Sequence, residues 1–97
     1  MPFIQTIEMR TSKYDQVQAL DEEWRKATEG KRTLRRSIIC QDRSDPKRYL
    51  ILAFFDSPES ANKNSELPET AAFANQVGAL ADAPLAFQDF DVIEDRT

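Results

Sequence analysis

Few side chains in this chain can do chemistry, because histidine is absent and cysteine occurs once among 97 residues. Without histidine, neither a Ser-His-Asp triad nor a Cys-His pair can activate a nucleophile, and a metal has no imidazole ligand. One cysteine cannot build a thiolate zinc cluster. The two glycines provide no phosphate-binding loop, and no carboxylate spacing matches a calcium loop. The sequence therefore predicts no metal site and no cofactor.

The charge balance argues against nucleic acid and membranes as partners. The net charge of −4 repels polyanions and anionic lipids. Basic residues cluster between Lys31 and Arg48 without interleaved aromatic residues, and we interpret them as a solvated rim. No apolar run approaches the roughly 18 residues of a membrane span. We expect a cytoplasmic protein, with Cys40 as a small buried hydrophobic residue in a reducing compartment.

Hydrophobic spacing predicts a strand and a helix in the first third of the chain. Residues 3–10 are rich in β-branched side chains, which favours a strand. Ser12 and Asp15 have the spacing of a helix start, in which the serine oxygen caps a free amide. The apolar residues between positions 14 and 27 then recur on one helical stripe, and Gly30 should end the helix in a left-handed conformation.

The rest of the chain predicts a β-hairpin, a broken helix and a final strand. Strands over 33–41 and 48–55 flank a segment rich in turn formers. Ser57 followed by Pro58 is typical of a helix start. Pro68 should divide the second helix into pieces over 58–66 and 69–81, because proline removes a backbone donor. Residues 85–93 read as the last strand.

This β-α-β-β-α-β order predicts a ferredoxin-like α+β fold, in a single domain over residues 1–97. Its sheet has four antiparallel strands, and right-handed crossovers place the helices on one face. The third strand, from Tyr49 to Phe55, is apolar on both faces, so the face without helices also requires a cover. We therefore predict a homodimer, packed sheet against sheet as an α/β barrel.

The junction Phe55-Asp-Ser-Pro-Glu-Ser-Ala-Asn-Lys-Asn64 resembles one in the antibiotic-biosynthesis monooxygenase-like proteins of the dimeric α/β-barrel superfamily. Many members have an aromatic residue, often Trp, at the end of the third strand, then Ser, an acidic helix start, and a His. Phe55, Ser57, Glu59 and Asn64 occupy these positions here. With the element order, the resemblance implies this fold over essentially the whole chain. Haem-degrading relatives bind iron through that histidine, and the amide of Asn64 is a poor iron ligand, so haem degradation is not expected.

The resemblance implies one remaining enzymatic function, which is cofactor-independent oxygenation of an electron-rich aromatic or polyketide-like molecule. In that chemistry the deprotonated substrate itself reduces oxygen. The protein binds the substrate, orients it and excludes water from it. The implied pocket lies between sheet and helices, and Arg36 would steady an anion there if its side chain points inward. The candidate substrate-binding residues are Tyr14, Trp24, Arg36, Phe55, Asn64 and Phe73.

Packing offers an alternative explanation for these candidates. The four aromatic residues fall where helices and strands bury apolar surface, and Asn64, four residues before Pro68, could serve to end its helix. Because the histidine and tryptophan of the resembled family are replaced, we favour a small-molecule-binding or accessory homodimer without catalysis, with the monooxygenase as the alternative. A void of about 300 Å³ or more between sheet and helices would favour a ligand, whereas a solid core would not.

Overall fold

Over residues 2–97, four strands form an antiparallel sheet and three helices cover one of its faces. The computed structural model describes residues 2–97. The elements are β1 (Phe3–Arg10), α1 (Tyr14–Ala27), β2 (Arg36–Gln41), β3 (Arg48–Phe55), α2 (Pro58–Glu66), α3 (Pro68–Leu80) and β4 (Ala86–Asp91). The strand order is β2-β3-β1-β4, with every neighbouring pair antiparallel. The predicted ferredoxin-like α+β architecture is confirmed, with β1 and β3 at the centre.

Alternation along the strands divides the sheet into two faces. Odd-numbered residues of β1, β2 and β3 face the helices, and Met9 and Ala53 among them are buried. Even-numbered residues point to the other side, which we call the open face because no helix in the described part of the chain covers it. Its apolar residues are Ile4, Ile38, Cys40, Leu50, Leu52, Phe54, Ala86 and Phe90. In β4, Phe90 lies on the open face opposite Ile4, whereas Phe87 lies on the helix face opposite Ile7.

The core on the helix face is split into two clusters at opposite ends of β1 and β3. One cluster contains Phe3, Ala53, Phe55 and Ala61, and the other contains Met9, Val17, Tyr49 and Val77. The register explains the separation, since Phe3 pairs with Phe55 at one end and Met9 pairs with Tyr49 at the other. The space over the middle of the two central strands is therefore not filled by either cluster.

The helix ends follow local sequence signals in α2 and α3. The Ser57 hydroxyl oxygen accepts a hydrogen bond from the Ser60 amide at 3.1 Å, and Pro58 is the first helical residue, as predicted. Leu67 is extended, with φ −62° and ψ 131°, and separates α2 from α3 just before Pro68. Gly30 has a φ of +80°, which confirms the left-handed conformation after α1.

The predicted Ser12 cap of α1 is wrong. Lys13 is the N-cap residue and α1 has no side-chain cap. Thr11 takes part of that role, because its hydroxyl oxygen accepts from the Lys13 amide at 3.0 Å and its hydroxyl group donates to the Leu80 carbonyl at 2.7 Å. A tertiary contact with the end of α3, which the local pattern does not contain, thus decides how α1 begins.

Two further expectations need correction. The strand predicted from residue 33 begins at Arg36, because the preceding residues form a connection in which the Thr33 amide donates to the Asn64 side chain at 3.2 Å. Cys40 is exposed in the single chain rather than buried, since its even number places it on the open face. Within residues 2–97, no helix has the length and apolar character needed to cross a bilayer.

Candidate functional site

A cavity of about 420 Å³ lies between the sheet and the helices, in the gap between the two core clusters. Its floor is the helix face of the central strands, including Ile7, Ile51 and Ala53. Residues from α1, α3 and the end of α2 form the walls. Trp24, Phe55 and Phe73 all line this space without filling it. The cavity exceeds the volume of about 300 Å³ at which small-molecule sites begin.

Trp24 and Phe73 form the aromatic wall, which joins α1 to α3. The Trp24 indole nitrogen donates a hydrogen bond to the Thr70 hydroxyl oxygen at 3.0 Å, and this bond holds the ring in place. The two ring centroids lie 5.8 Å apart at an interplanar angle of 31°. Trp24 is only 6% exposed. The wall therefore offers apolar surface to a ligand, and the ligand needs no acceptor for the indole N–H because Thr70 already provides one.

Tyr14 lies at the end of the cavity near the N-terminus of α1. Its ring stacks on Tyr49 with centroids 4.6 Å apart and an interplanar angle of 12°. Burial, helped by the nearby Asp21 carboxylate and by Tyr49, raises the pKa of Tyr14 above its ordinary value. The phenol therefore stays protonated at neutral pH and can donate a hydrogen bond to a ligand.

Phe55 and Asn64 line the cavity at the junction of β3 and α2. Phe55 packs against Phe3 with ring centroids 6.5 Å apart. Asn64 is 7% exposed, and its side-chain oxygen accepts from the Thr33 amide. Its carbonyl accepts from the Leu67 amide at 3.4 Å, at the end of α2. Asn64 thus supports the helix end and the connection before β2, and it also faces the cavity.

Arg36 is not part of the cavity, and its proposed role there needs correction. It pairs with Phe54 across β2 and β3, and both residues have even numbers, so Arg36 lies on the open face. Its guanidinium carbon lies 5.6 Å from the centroid of the Phe54 ring. The condition for an anion-steadying role, an inward side chain, is not met.

The cavity contains polar residues that the sequence analysis did not single out. Arg25 on α1 donates through Nε to Asp21 Oδ2 at 3.0 Å and through Nη2 to Ser37 Oγ on β2 at 2.7 Å. All three residues line the cavity. A signal for the helical pair was present, because Asp21 and Arg25 continue the steps of 4, 3 and 4 residues that run from Tyr14 through Gln18. Nothing local indicated that Ser37 would meet them.

These side chains allow a defined chemistry. The cavity is mainly apolar, with hydrogen-bonding groups at Tyr14, at Asn64 and at the Arg25 pair. Within residues 2–97, no group of three or more acidic, histidine or cysteine side chains is arranged to hold a metal ion. The arrangement can bind an apolar planar molecule, exclude water from it, and bond a few polar substituents.

Comparison with known proteins identifies the fold. No family model and no curated protein sequence match the chain. Solved structures do match. Rv0793 from Mycobacterium tuberculosis superposes with a TM-score of 0.80 and 13% identity over 100% of both chains. The chain has the antibiotic biosynthesis monooxygenase-like fold, which it shares with the two structures described next. This outcome confirms the fold that the junction from Phe55 to Asn64 implied.

Two further structures support the same fold. An antibiotic biosynthesis monooxygenase gives a TM-score of 0.74 at 12% identity, covering 97% of this chain and 100% of that one. A variant of SnoaB, a cofactor-independent oxygenase from Streptomyces nogalater, gives 0.78 at 10% identity, covering 97% and 94%. Identities this low relate the backbones and leave the chemistry to the residues of each site.

Proposed function

We propose that this chain is a homodimeric small-molecule-binding protein whose ligand is a planar aromatic or polyketide-like molecule. The observation that carries the proposal is the cavity of about 420 Å³ between sheet and helices. Small-molecule sites are typically clefts of roughly 300–1,000 Å³ with apolar walls and a few convergent polar groups. The cavity has this composition, with the aromatic wall of Trp24 and Phe73 on one side and Ile51 and Ala53 beneath.

The hydrophobic effect supplies the driving force in this proposal. An aromatic ligand that leaves water for such a site gains roughly 25 cal/mol for each Å² of apolar surface removed. The core does not close over the cavity, because each end of the sheet has its own packed cluster. A fused-ring molecule therefore occupies existing space and does not have to displace the side chains of either cluster.

Trp24 provides a direct test of binding, because it is the only tryptophan and lines the cavity. We expect naphthalene to change its fluorescence in a saturable way. Ala74→Phe on α3 places a ring into the cavity and should weaken naphthalene binding by about tenfold, since one filled subsite costs on the order of 1.4 kcal/mol. Ala79→Phe is the matched control on the same helix, because Ala79 is exposed and lies outside the cavity lining.

The two outcomes that contradict the proposal are distinct. If naphthalene leaves Trp24 fluorescence unchanged in the unaltered protein, no aromatic ligand enters the cavity. If it binds equally well to the Ala74→Phe and Ala79→Phe variants, it binds elsewhere on the surface. Circular dichroism of both variants checks that each keeps its fold.

Cofactor-independent oxygenation is the second candidate function. It is favoured by the fold shared with the oxygenase SnoaB and by Tyr14 and Asn64, whose polar groups border an apolar cavity. In an anthrone, the enolate form gives electrons to dioxygen, the ring CH₂ becomes a carbonyl, and one oxygen atom leaves as water. The Tyr14 phenol, at one end of the cavity, is suited to donate to the enolate oxygen, and the Asn64 amide, at the other end, is suited to bond a second polar substituent while water is excluded.

Oxygen uptake with 1,8-dihydroxyanthrone tests this second function. An oxygenase consumes one dioxygen for each quinone formed, at a rate proportional to enzyme and above the spontaneous rate. Tyr14→Phe should lower that rate by about tenfold or more if its hydroxyl steadies the enolate. Binding without turnover leaves the chain as a binding or accessory protein.

A further inference from the structure

Arg25 crosses one edge of the cavity and connects α1 to the edge strand β2. Its Nε donates to Asp21 one helical turn earlier at 3.0 Å, and its Nη2 donates to Ser37 at 2.7 Å. Its backbone carbonyl accepts from the Arg32 guanidinium at 2.7 Å, which ties this turn of α1 to the following connection. The three side chains of Asp21, Arg25 and Ser37 thus form a fixed group at the cavity edge, which we call the polar edge.

The polar edge keeps hydrogen-bonding capacity for a ligand. Within residues 2–97, the bonds of Asp21 use Oδ2, and no donor is paired with Oδ1. The bonds of the Arg25 guanidinium use Nε and Nη2, so both N–H groups of Nη1 remain available. The side chains of Asp21 and Arg25 are 24% and 39% exposed, which leaves both within reach of a molecule in the cavity. The edge therefore offers a free acceptor at Asp21 and free donors at Arg25.

The charges at this edge favour a neutral partner. Asp21 and Arg25 cancel each other as an ion pair, and Glu22, which also lines the cavity, adds a negative charge. A ligand carboxylate would be repelled by two carboxylates and attracted by one guanidinium that is already paired. A phenolic hydroxyl has no such conflict, because one O–H group donates and accepts at the same time.

We propose that the polar edge of Asp21, Arg25 and Ser37 selects ligands that carry a neutral phenolic hydroxyl at one end of an aromatic ring system. The hydroxyl donates to the free Oδ1 of Asp21, while the rings lie against the aromatic wall. The inference rests on the proposed aromatic ligand and adds the residues that determine its specificity. None of these three residues is among the groups assigned to the oxygenation chemistry.

Three naphthalene derivatives separate this inference from the proposed function. Binding of 2-naphthol, 2-methoxynaphthalene and 2-naphthoate is followed by Trp24 fluorescence at neutral pH. We expect 2-naphthol to bind roughly tenfold more tightly than 2-methoxynaphthalene, which accepts but cannot donate, because a hydrogen bond to a charged group contributes about this factor. 2-Naphthoate should bind more weakly than 2-naphthol.

Asp21→Ala should reduce the preference for 2-naphthol over 2-methoxynaphthalene, taken as the ratio of the two affinities in the same variant, to about twofold or less. Asp15→Ala is the matched control, because Asp15 lies exposed in the first turn of α1 and outside the cavity lining. Circular dichroism of both variants checks that each keeps its fold.

The binding results distinguish failure of the polar-edge inference from failure of the proposed aromatic ligand. If naphthalene binds but 2-naphthol gains nothing over its methyl ether, or 2-naphthoate binds best, the polar edge does not select phenols and only this inference is lost. If the preference for 2-naphthol survives Asp21→Ala, again only this inference is lost. If no naphthalene derivative binds, the proposed aromatic ligand fails as well.

Discussion

At the scale of single residues, Asn64 is the position where packing and function overlap most. Its side-chain oxygen accepts the Thr33 amide at 3.2 Å, and it is 7% exposed next to the cavity. Asn64→Ala leaves that partly buried amide without its acceptor, which costs about 1 kcal/mol. We expect the free energy of unfolding in urea to fall by about that amount.

Asn62→Ala is the matched control for this prediction. Asn62 is exposed on the same helix, α2, so its replacement should change stability by no more than about 0.5 kcal/mol. Equal effects of the two substitutions would mean that the bond to Thr33 contributes nothing to stability and that Asn64 is retained for another reason.

The residues of the cavity show where reasoning from sequence succeeds and where it stops. Trp24 and Phe73 fall on apolar helical stripes, so their inward direction follows from the helical period alone. The direction of the Arg36 side chain cannot be predicted in this way, because the basic and apolar residues around it do not alternate. A shift of one residue in strand parity moves a side chain to the other face. The contact of Arg25 with Ser37 joins two elements, and local periodicity contains no information about it.

At the scale of elements, replacing each of the two glycines by alanine should change the stability of the fold in opposite directions. Gly30 has a φ of +80°, where an L side chain is strained although no atom lies within 4 Å of a Cβ placed there. Gly30→Ala should therefore destabilise the fold by about 1 kcal/mol through the backbone alone. Gly78 lies within α3, with equally open space around it, so Gly78→Ala should stabilise by about 0.5 kcal/mol.

Thermal or urea unfolding of the two glycine variants checks this pair of predictions. Each variant is the control for the other, since both add one methyl group to open space and differ only in backbone conformation. A gain in stability from Gly30→Ala would contradict the left-handed turn after α1.

The loop of the β2-β3 hairpin makes stability depend on pH. The Lys47 amide, with help from the Arg10 side chain, lowers the pKa of Asp45 below its ordinary value. The Ser44 amide and the Arg48 side chain do the same for the pKa of Asp42. A folded pKa below the unfolded one contributes stability above the unfolded value, near pH 3.9, and this stability is lost as the pH falls through the folded pKa.

Urea denaturation at pH 5, 4 and 3 should therefore show a decline in unfolding free energy as the pH falls. Asp45→Asn should make that decline shallower, because the asparagine does not titrate. Arg10→Gln removes only the second cause of the shift and should retain a larger part of the slope. Identical slopes in all three proteins would show that the loop does not hold the Asp45 carboxylate in its charged form.

Some helix ends are determined by neighbouring residues in the sequence, and others by contacts with distant residues. Ser57, Pro58 and Pro68 act on their own backbone, so the ends of α2 and the start of α3 were predictable from sequence. The start of α1 was not, because Thr11 is held by the carbonyl of Leu80, nearly seventy positions along the chain. The sequence identified the kind of every element, and the structure was needed where a distant contact decides an end.

At the scale of the whole molecule, the cavity results from the way the core is divided. Phe3 and Phe55 build one cluster, and Met9 and Tyr49 build the other, each at its own end of the sheet. Sequence patterns show which residues face inward, but they do not show whether the inward side chains meet. The volume left between them depends on how far the helices stand from the sheet, which only the packed structure determines.

The open face has the apolar character expected of a surface that pairs with a second copy of the chain. Leu52 lies at its centre on β3, between Thr6 on β1 and Ile38 on β2, and Leu50, Phe54 and Phe90 extend the apolar surface around it. A sheet face of this kind is more stable when covered, and a second copy is the simplest cover. Sedimentation at low micromolar concentration should therefore show about 22 kDa, twice the chain mass of 11.1 kDa.

Leu52→Glu should shift that mass to the value of a single chain, because two carboxylates would be buried without partners at the centre of a twofold interface. Phe87→Glu is the control. Phe87 is an exposed aromatic residue of β4 on the helix face, so the same charge introduced there should leave the dimer intact. The side chain of Leu52 points away from both core clusters, so the monomeric variant should keep its circular dichroism and its naphthalene binding.

A single-chain mass for the unaltered protein would show that water covers the open face. Dissociation by Phe87→Glu but not by Leu52→Glu would place the interface on the helix side of β4.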